Sequence, residues 1–477
     1  MVVGEMPDGV DLLVVGGGPG GYVAALAAAQ LGREVVLVDA NGEGGLGGAC
    51  VNVGCIPSKA LIELANARHG LDGWSTKGLI VEPSVVDMAA FQAWKKATVL
   101  GLSGGVGQLL SHAGVQVRQG YFRFTRKDQG ALEFGDAPPN HIKFKSCVLA
   151  TGSRPATLPH LVRDGERIMD STDALALTVL PASIAVVGGG YIGVELGTAL
   201  AKLGSEVTIV EAARRILPTL DEEVGKVVAR RLGQLGVTIR TDSLVTADDG
   251  TCITVKRADG GEDRIEVDRV LIAIGRISNT DDLGLDALHV TVGDRGLLDV
   301  GPDRLLTPRV AAIGDITAGP ALAHKASAEA HVAVDVLSGR PNAFDPTTIS
   351  AVVFSDPEVA VTGMTASEAS ERGIECDTVS FPVAASGRAR TLDETVGFVR
   401  WVYRKESGLL IGAQLVCPHA SELVSEAAFA IEMGANLEDV AETIHPHPTM
   451  SETLPEAARI GLGAPVHVAI KRAMHTR

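Results

Sequence analysis

The chain has 477 residues, which at ~150 per domain is enough for about three domains and more than one sizeable core. Its 58 acidic against 42 basic residues leave a net charge of −16, which removes the counterion-release drive toward nucleic acid or anionic lipid. A hydrophobic content of 46% with 4% aromatic residues and 56 glycines excludes a disordered or fibrous chain and describes a globular α/β one.

Two uncharged stretches, Leu12–Gly32 and Ala174–Val194, reach membrane-spanning length. Each holds a Gly cluster and a proline, Pro19 or Pro181, so each reads as strand, tight turn and helix. Glu5, Asp8 and Asp11 stand where a secretory signal would carry basic residues, so export is not expected and the compartment is expected to be the reducing cytoplasm. Six cysteines over this length are too sparse for a disulfide framework, and only Cys50 and Cys55 lie close together.

In chain order, an apolar strand from Asp11 runs into Gly16-Gly-Gly18-Pro-Gly-Gly21. An Ala-rich helical pattern over 22–31 follows, then a strand over 34–38 that ends at Asp39. Gly16 permits a tight turn, Gly18 lets a pyrophosphate approach the backbone, and Gly21 lets helix and strand pack closely. The helix N-terminus would face phosphates, and Asp39 could hold a ribose diol. Alone, the motif fits a packing turn equally well.

Next stands Gly47-Gly-Ala-Cys50-Val-Asn-Val-Gly-Cys55-Ile-Pro-Ser-Lys59. In a regular helix, positions five apart are separated by ~7.5 Å of rise and lie ~140° apart, too far for a disulfide. A bond therefore requires an irregular turn, which Gly54 permits, with helix expected from about Pro57. Two buried thiols, or half a metal site, are alternatives, although C-x4-C lacks the two-residue zinc spacing and a second pair. A meander of short alternating runs then leads to the apolar strand Val148-Leu-Ala-Thr151-Gly152.

The first unit recurs 172 residues later (188 − 16), as Gly188-Gly-Gly190-Tyr-Ile-Gly193, a helix through Leu203 and a strand over 207–210 ending at Glu211. It too leads to an apolar strand ending in glycine, Gly275. Two complete copies imply two Rossmann-like dinucleotide-binding domains, one of which can be inserted in the other. Glu211 accepts ribose hydroxyls and repels a 2′-phosphate, favouring NAD over NADP. Arg214 and Arg215 could meet a phosphate or form a solvated face. A disulfide beside two dinucleotide sites calls for a flavin, because a two-electron hydride carrier needs one to pass electrons to a thiol pair.

From Phe344 the composition shifts to strands over 350–354, 396–402 and 408–416 and helical periodicity over 422–433, as in an α+β domain. The segment Ile444-His445-Pro-His447-Pro-Thr449-Met-Ser-Glu452 follows. Thr449 and Glu452 have capping-box spacing, with Pro448 starting a helix. A histidine next to an acid can also serve as base toward a thiol, since only the thiolate attacks a disulfide. Metal ligation by His445 and His447 is a third option without an obvious further ligand.

The strings GGACVNVGCIPSKAL and HPHPTMSE resemble the redox and base segments of flavin-dependent pyridine nucleotide-disulfide oxidoreductases, most of all their dihydrolipoamide-oxidising branch. The resemblance covers essentially the whole chain. It implies that Cys50 exchanges with substrate, that Cys55 lies against the flavin, and that Lys59 pairs with Glu195 near it. His447, oriented by Glu452, becomes the base, supplied by the other subunit of a homodimer. FAD would be held by Gly16, Gly18, Gly21, Asp39, Gly48, Lys59, Gly120, Thr151, Gly152, Asp315 and Ala323. NAD would be held by Gly188, Gly190, Gly193, Glu211 and Gly275. Residues 1–155 and 277–345 would form the FAD-binding part, 156–276 the NAD-binding domain and 346–477 the dimerisation domain. The resemblance also suggests a cis His447–Pro448 bond.

Mercuric reductases carry a further C-terminal cysteine pair, which is absent after Cys417, and soluble transhydrogenases lack the second redox cysteine. Glutathione-type reductases favour NADP through basic residues where this chain has Glu211. Ser278 replaces the family's usual proline, and the tail 469–477 is a departure that could alter docking of partners. The implied reaction is oxidation of dihydrolipoamide carried on the lipoyl domain of a 2-oxoacid dehydrogenase or glycine-cleavage complex, with NAD reduced. Reduction of another low-molecular-weight disulfide by NAD(P)H, and a non-catalytic flavoprotein subunit of a larger complex, are the alternatives.

Overall fold

The computed structural model describes residues 8–80, 82 and 85–469, so Glu5 and residues 470–477 of the tail lie outside the described residues. The chain divides into two compact units of two segments each: Met1–Pro181 with Arg269–Asp345, and Ala182–Asp268 with Pro346–Arg477. Among the described residues no helix is long and apolar enough to cross a membrane.

The first unit is built on a parallel sheet with Asp8–Val15 at its centre, between Val35–Asp39 and Asn140–Leu149. Gln116–Gln119 extends it beyond Val35–Asp39, and Val310–Ala312 extends it beyond Asn140–Leu149. A strand buried on both faces reads as a continuous apolar run, and Leu12 to Val15 are all buried. Leu12 and Val14 pack toward Ala24, Ala25 and Ala28 of the Pro19–Gln30 helix and toward Ala330 and Ala333 of the Ala323–Leu337 helix. Leu13 and Val15 face a cluster holding Phe122, Phe124 and Phe144, whose rings meet edge to face.

The helix expected from about Pro57 runs over Cys55–Ser75, and where the sequence reading then gives a meander the structure first places a second long helix, Met88–His112. The second escapes a periodicity reading because Gly101, Gly104, Gly105 and Gly107 interrupt it, while Trp94, Leu100, Leu102 and Leu109 are exposed. A short antiparallel pair, Ser153–Pro155 with Arg276–Ser278, sets Ser278 opposite Ser153.

In the second unit, Glu206–Val210 lies parallel between Ser183–Val187 and Thr238–Arg240. Three antiparallel strands, Ser243–Asp248, Cys252–Arg257 and Glu262–Glu266, follow. The C-terminal part is a five-stranded antiparallel sheet in the order Ala351–Val353, Val359–Gly363, Leu410–Val416, Phe398–Arg404 and Cys376–Pro382. The second and last of these strands have no counterpart in the sequence reading. Trp401 is fully buried on this sheet, and its indole N–H donates to the Leu454 carbonyl at 3.0 Å. The Ala420–Glu432 helix buries Val424, Ala427 and Ile431 in the same core.

A charged clamp joins the two segments of this unit. Asp356 accepts Lys202 Nζ at 2.7 Å and two Arg231 N–H groups, both at 3.1 Å. Burial alone would raise the Asp356 carboxyl, but the Arg231 bond and the Lys202 charge outweigh it and hold it below its ordinary value. Two residues before Asp356, the Phe354 N–H donates to Glu195 Oε1 at 2.9 Å. The clamp's stabilisation is therefore fully present above the unfolded-state value of about 3.9 and is lost as pH falls through the lower folded-state value. Asp356→Ala, which strands two partly buried cations, is expected to cost about 3 kcal/mol. Asp356→Asn should flatten the fall of the thermal midpoint below about pH 4. An unchanged acid limb in that variant would show that the clamp contributes nothing.

Candidate active site

Both glycine turns fold identically because the same close contacts rule both. A Cβ on Gly21 would sit 1.8 Å from the Gly16 carbonyl oxygen, and one on Gly193 would sit 2.0 Å from that of Gly188. The opening residues adopt left-handed φ values, +105° at Gly16 and +110° at Gly188, which glycine tolerates. Gly18 and Gly190 start their helices at φ/ψ of −70°/−176° and −72°/−177°, with no side-chain cap on the N–H groups beyond. Uncapped N–H groups at a helix N-terminus suit a phosphate.

The acids that end the second strands also match. Asp39 Oδ2 accepts the Gly17 N–H at 2.8 Å, and Glu211 Oε2 accepts the Gly189 N–H at 2.6 Å. The second Glu211 oxygen accepts the Ala213 N–H at 2.7 Å. Arg215, one of the sequence's two candidates for a 2′-phosphate with Arg214, instead donates to the Pro218 and Leu220 carbonyls, both at 3.1 Å.

The cysteine segment differs from its sequence reading in one respect. Cys50 lies in a short helix of its own, Gly48–Val53, and the long helix begins at Cys55, two residues ahead of Pro57. Gly54 makes the break, at φ −134° and ψ −108°, and a Cβ there would sit 2.8 Å from the Ala49 carbonyl oxygen. Asn52 braces the turn, donating to the Leu46 and Gly48 carbonyls at 3.0 and 2.9 Å. The neighbouring Cys55 sulfur, and then burial, push the Cys50 thiol far above its ordinary value, while the Lys59 ammonium pulls it back. Lys59, half-buried, sits in the first turns of the long helix. Gly48 crosses the first nucleotide turn so closely that a Cβ on it would lie 2.6 Å from Gly18 Cα.

The remaining first-unit candidates line strand ends. Thr151 Oγ1 donates to the Asn279 carbonyl at 2.7 Å, and the Gly152 carbonyl accepts the Asn279 N–H at 2.9 Å. The Gly120 N–H donates to the Asp39 carbonyl at 3.0 Å. Asp315 occupies a 3-10 turn, Gly314–Ile316, and Ala323 begins a helix without a side-chain cap. Gly275, left-handed at φ +120°, belongs to this unit, whereas Gly188, Gly190, Gly193, Glu195 and Glu211 belong to the other. Sequence reasoning missed Glu329, fully buried and accepting from Arg304 at 2.9 Å, Lys325 at 3.1 Å and the Gly314 N–H at 2.7 Å. Its spacing of four from Lys325 was a readable sign of the pair.

In the second unit, His447 Nδ1 lies 2.8 Å from Glu452 Oε1, and the His447–Pro448 bond is cis. Glu452 Oε2 accepts the Thr449 N–H at 2.9 Å. The capping box is otherwise not formed: Thr449 Oγ1 turns to the Pro446 carbonyl, and the helix starts four residues later, at Thr453. Burial raises the Glu452 carboxyl, yet the Thr449 N–H and the His447 ring outweigh it and hold it below the usual range. His445 is engaged by Glu426 at 2.6 Å and the Thr443 carbonyl at 2.9 Å. No group of three or more His, Cys, Asp or Glu side chains arranged to hold a metal occurs among the described residues.

The geometry fits one dinucleotide in each unit: each cradle is shaped by positions a Cβ would obstruct, and each has an acid beside the helix N-terminus. Residues 10–330 match the pyridine nucleotide-disulphide oxidoreductase family, and residues 349–458 match that family's dimerisation domain. The chain is similar to a protein of Geobacillus stearothermophilus named dihydrolipoyl dehydrogenase, 44% identical over 476 residues, 99% of this chain and 100% of that protein. A protein of the same name from Halobacterium salinarum is 44% identical over 474 residues, 98% of this chain and 99% of that one. The solved structure of LpdA from Mycobacterium tuberculosis has a TM-score of 0.87 at 29% identity, covering 94% of this chain and 99% of its own. That of RclA from Escherichia coli, titled a HOCl-induced flavoprotein disulfide reductase, has a TM-score of 0.83 at 26% identity over 94% of this chain and 99% of its own. The chain belongs to the pyridine nucleotide-disulphide oxidoreductases, which use FAD and a nicotinamide dinucleotide.

Proposed function

We propose that this protein oxidises protein-bound dihydrolipoamide to lipoamide and reduces NAD to NADH. The observation that carries the reading is the Cys50-Cys55 pair, broken at Gly54 and abutting a nucleotide cradle, in a chain 44% identical to proteins named for that reaction. FAD, when bound, supplies the two-electron relay between the dithiol pair and NAD.

His447 takes the proton of a substrate thiol at Nε2, because Glu452 occupies Nδ1. The thiolate attacks Cys50 Sγ of the Cys50–Cys55 disulfide, forming a mixed disulfide and releasing Cys55 as thiolate. The second substrate sulfur, deprotonated in turn, displaces Cys50, so the substrate leaves as a cyclic disulfide and both cysteines hold its electron pair. Lys59 and Glu195 stabilise charge near the flavin ring. Gly16, Gly18, Gly21, Asp39, Gly48, Gly120, Thr151, Gly152, Asp315 and Ala323 hold the FAD. Gly188, Gly190, Gly193, Glu211 and Gly275 hold the NAD, and the engaged Arg215 supports NAD over NADP. About 30 mV corresponds to 1.4 kcal/mol for a two-electron couple, so small shifts in the NADH ratio reverse the flow.

The dimerisation-domain match over residues 349–458 supports a two-fold homodimer in which His447 serves the partner's cysteine pair. The partner would be the lipoyl domain of a 2-oxoacid dehydrogenase or glycine-cleavage complex, and the compartment the reducing cytoplasm, in keeping with cysteines too sparse for a disulfide framework. A second reading, NAD(P)H-dependent reduction of another disulfide, draws support from the likeness to RclA.

Anaerobic mixing with dihydrolipoamide and NAD, then separately NADP, tests the reading. Rapid NADH formation with little NADPH is expected, whereas a flavin that NADH reduces without any dithiol turnover would favour the second reading. Cys50→Ser should leave a coloured protein that accepts hydride from NADH but no longer oxidises dithiol; retained lipoamide turnover would remove Cys50 from its role. His447→Gln should lower dithiol oxidation by about 10²–10⁴-fold with far less effect on NADH-to-dye transfer. Equal losses in both assays would point to damage to the fold instead.

A further inference from the structure

We infer that Ser153 and Ser278 are positioning residues that fix Asp315 to accept a hydroxyl of the bound FAD, an inference that rests on the flavin site proposed above. The two serines stand directly opposite each other on the antiparallel pair Ser153–Pro155 and Arg276–Ser278. Both hydroxyls converge on Asp315. Ser153 Oγ donates to the carboxylate oxygen Oδ2 at 2.5 Å, and Ser278 Oγ donates to the main-chain carbonyl at 2.7 Å.

The direction of the first bond is set by Arg276, whose Nε donates to Ser153 Oγ at 2.7 Å and whose Nη2 donates to the Ser153 carbonyl at 2.5 Å. A hydroxyl has one hydrogen, so with the arginine on a lone pair that hydrogen goes to the carboxylate. The acceptor is charged, which roughly doubles the strength of such a bond. From the other side the preceding residue is gripped twice: the Gly314 N–H donates to Glu329 at 2.7 Å, and Lys325 Nζ donates to the Gly314 carbonyl at 3.1 Å. Glu329 and Lys325 are 0% and 2% exposed, so this grip is shielded from water. Asp315 is thus fixed at its backbone and at one carboxylate oxygen, which leaves Oδ1 as the acceptor for a ligand hydroxyl.

Apoprotein titrated with FAD, followed by quenching of flavin fluorescence, tests the inference. Ser153→Ala and Ser278→Ala should each weaken FAD binding about tenfold, with the thermal midpoint of the apoprotein unchanged. Asp315→Ala should weaken it further, and in that background Ser153→Ala should have no added effect, because its partner is gone. An equal loss from Ser153→Ala in both backgrounds, or no loss from either serine variant where Asp315→Ala weakens binding, would overturn the inference. Unchanged binding in Asp315→Ala would instead overturn the flavin-site reading and the inference with it. The rate of FAD release from purified holoenzyme should follow the same pattern across the variants, which covers any variant whose apoprotein does not fold.

Discussion

A helix packed against a strand closely enough that no Cβ fits between them is the constraint on which both nucleotide cradles depend. At Gly21 and Gly193 the missing side chain lets the helix N-terminus reach the carbonyl of the glycine that opens the turn. The turn then needs a left-handed residue, supplied by Gly16 and Gly188, and a partner for the N–H that follows, supplied by Asp39 and Glu211. Each acid does local structural work at its turn, besides the ribose contact proposed for it. Replacing either one disturbs the turn before it disturbs any nucleotide, so specificity and folding are linked at these two positions.

The same crowding orders the cysteines. Gly47 and Gly48, both left-handed, carry the chain across the first turn, with Gly48 packed on Gly18. The short helix that starts there ends at Gly54, where the backbone leaves helical geometry so that Cys50 and Cys55 can approach. In a continuous helix the five-residue spacing would hold the sulfurs apart. The cysteine pair is therefore placed by glycines twice over, once against the cradle and once within its own segment. Their proximity also appears electrostatically, since the Cys55 sulfur is the first cause of the raised Cys50 thiol.

Much of this was legible in the sequence because it is local or repeated. The two glycine units, their closing acids, the cysteine segment and the His447–Glu452 spacing each lie within a few dozen residues. The Met88–His112 helix was not legible, because glycines break its apolar pattern and packing elsewhere maintains it. The strands Val359–Gly363 and Cys376–Pro382 escaped as well: in the second, Asp377 falls on the same face as the buried Val379 and Phe381 and shortens the apolar alternation. The supports of Asp315 were beyond reach, since Ser153 is 162 positions away and Ser278 is 37. The Lys202, Arg231 and Asp356 clamp likewise joins residues whose charges look solvated in sequence. Hydrogen bonds between distant segments leave no periodic trace, so only the folded chain discloses them.

The C-terminal pair shows how one residue satisfies a structural and a chemical demand together. Thr449 and Glu452 have capping-box spacing, yet only the half in which the glutamate accepts the Thr449 N–H forms. Had the helix begun at Thr449, the other half of the box would have tied the threonine hydroxyl to the Glu452 N–H. With the helix delayed to Thr453, the turn from Pro446 to Glu452 stays open, and the second carboxylate oxygen reaches the His447 ring. The backbone N–H of Thr449 and the imidazole together hold the acid below its ordinary value, so the ring it orients is not its sole support. In the proposed role of His447 as base, a carboxylate anchored to the main chain would keep the ring oriented while its proton comes and goes.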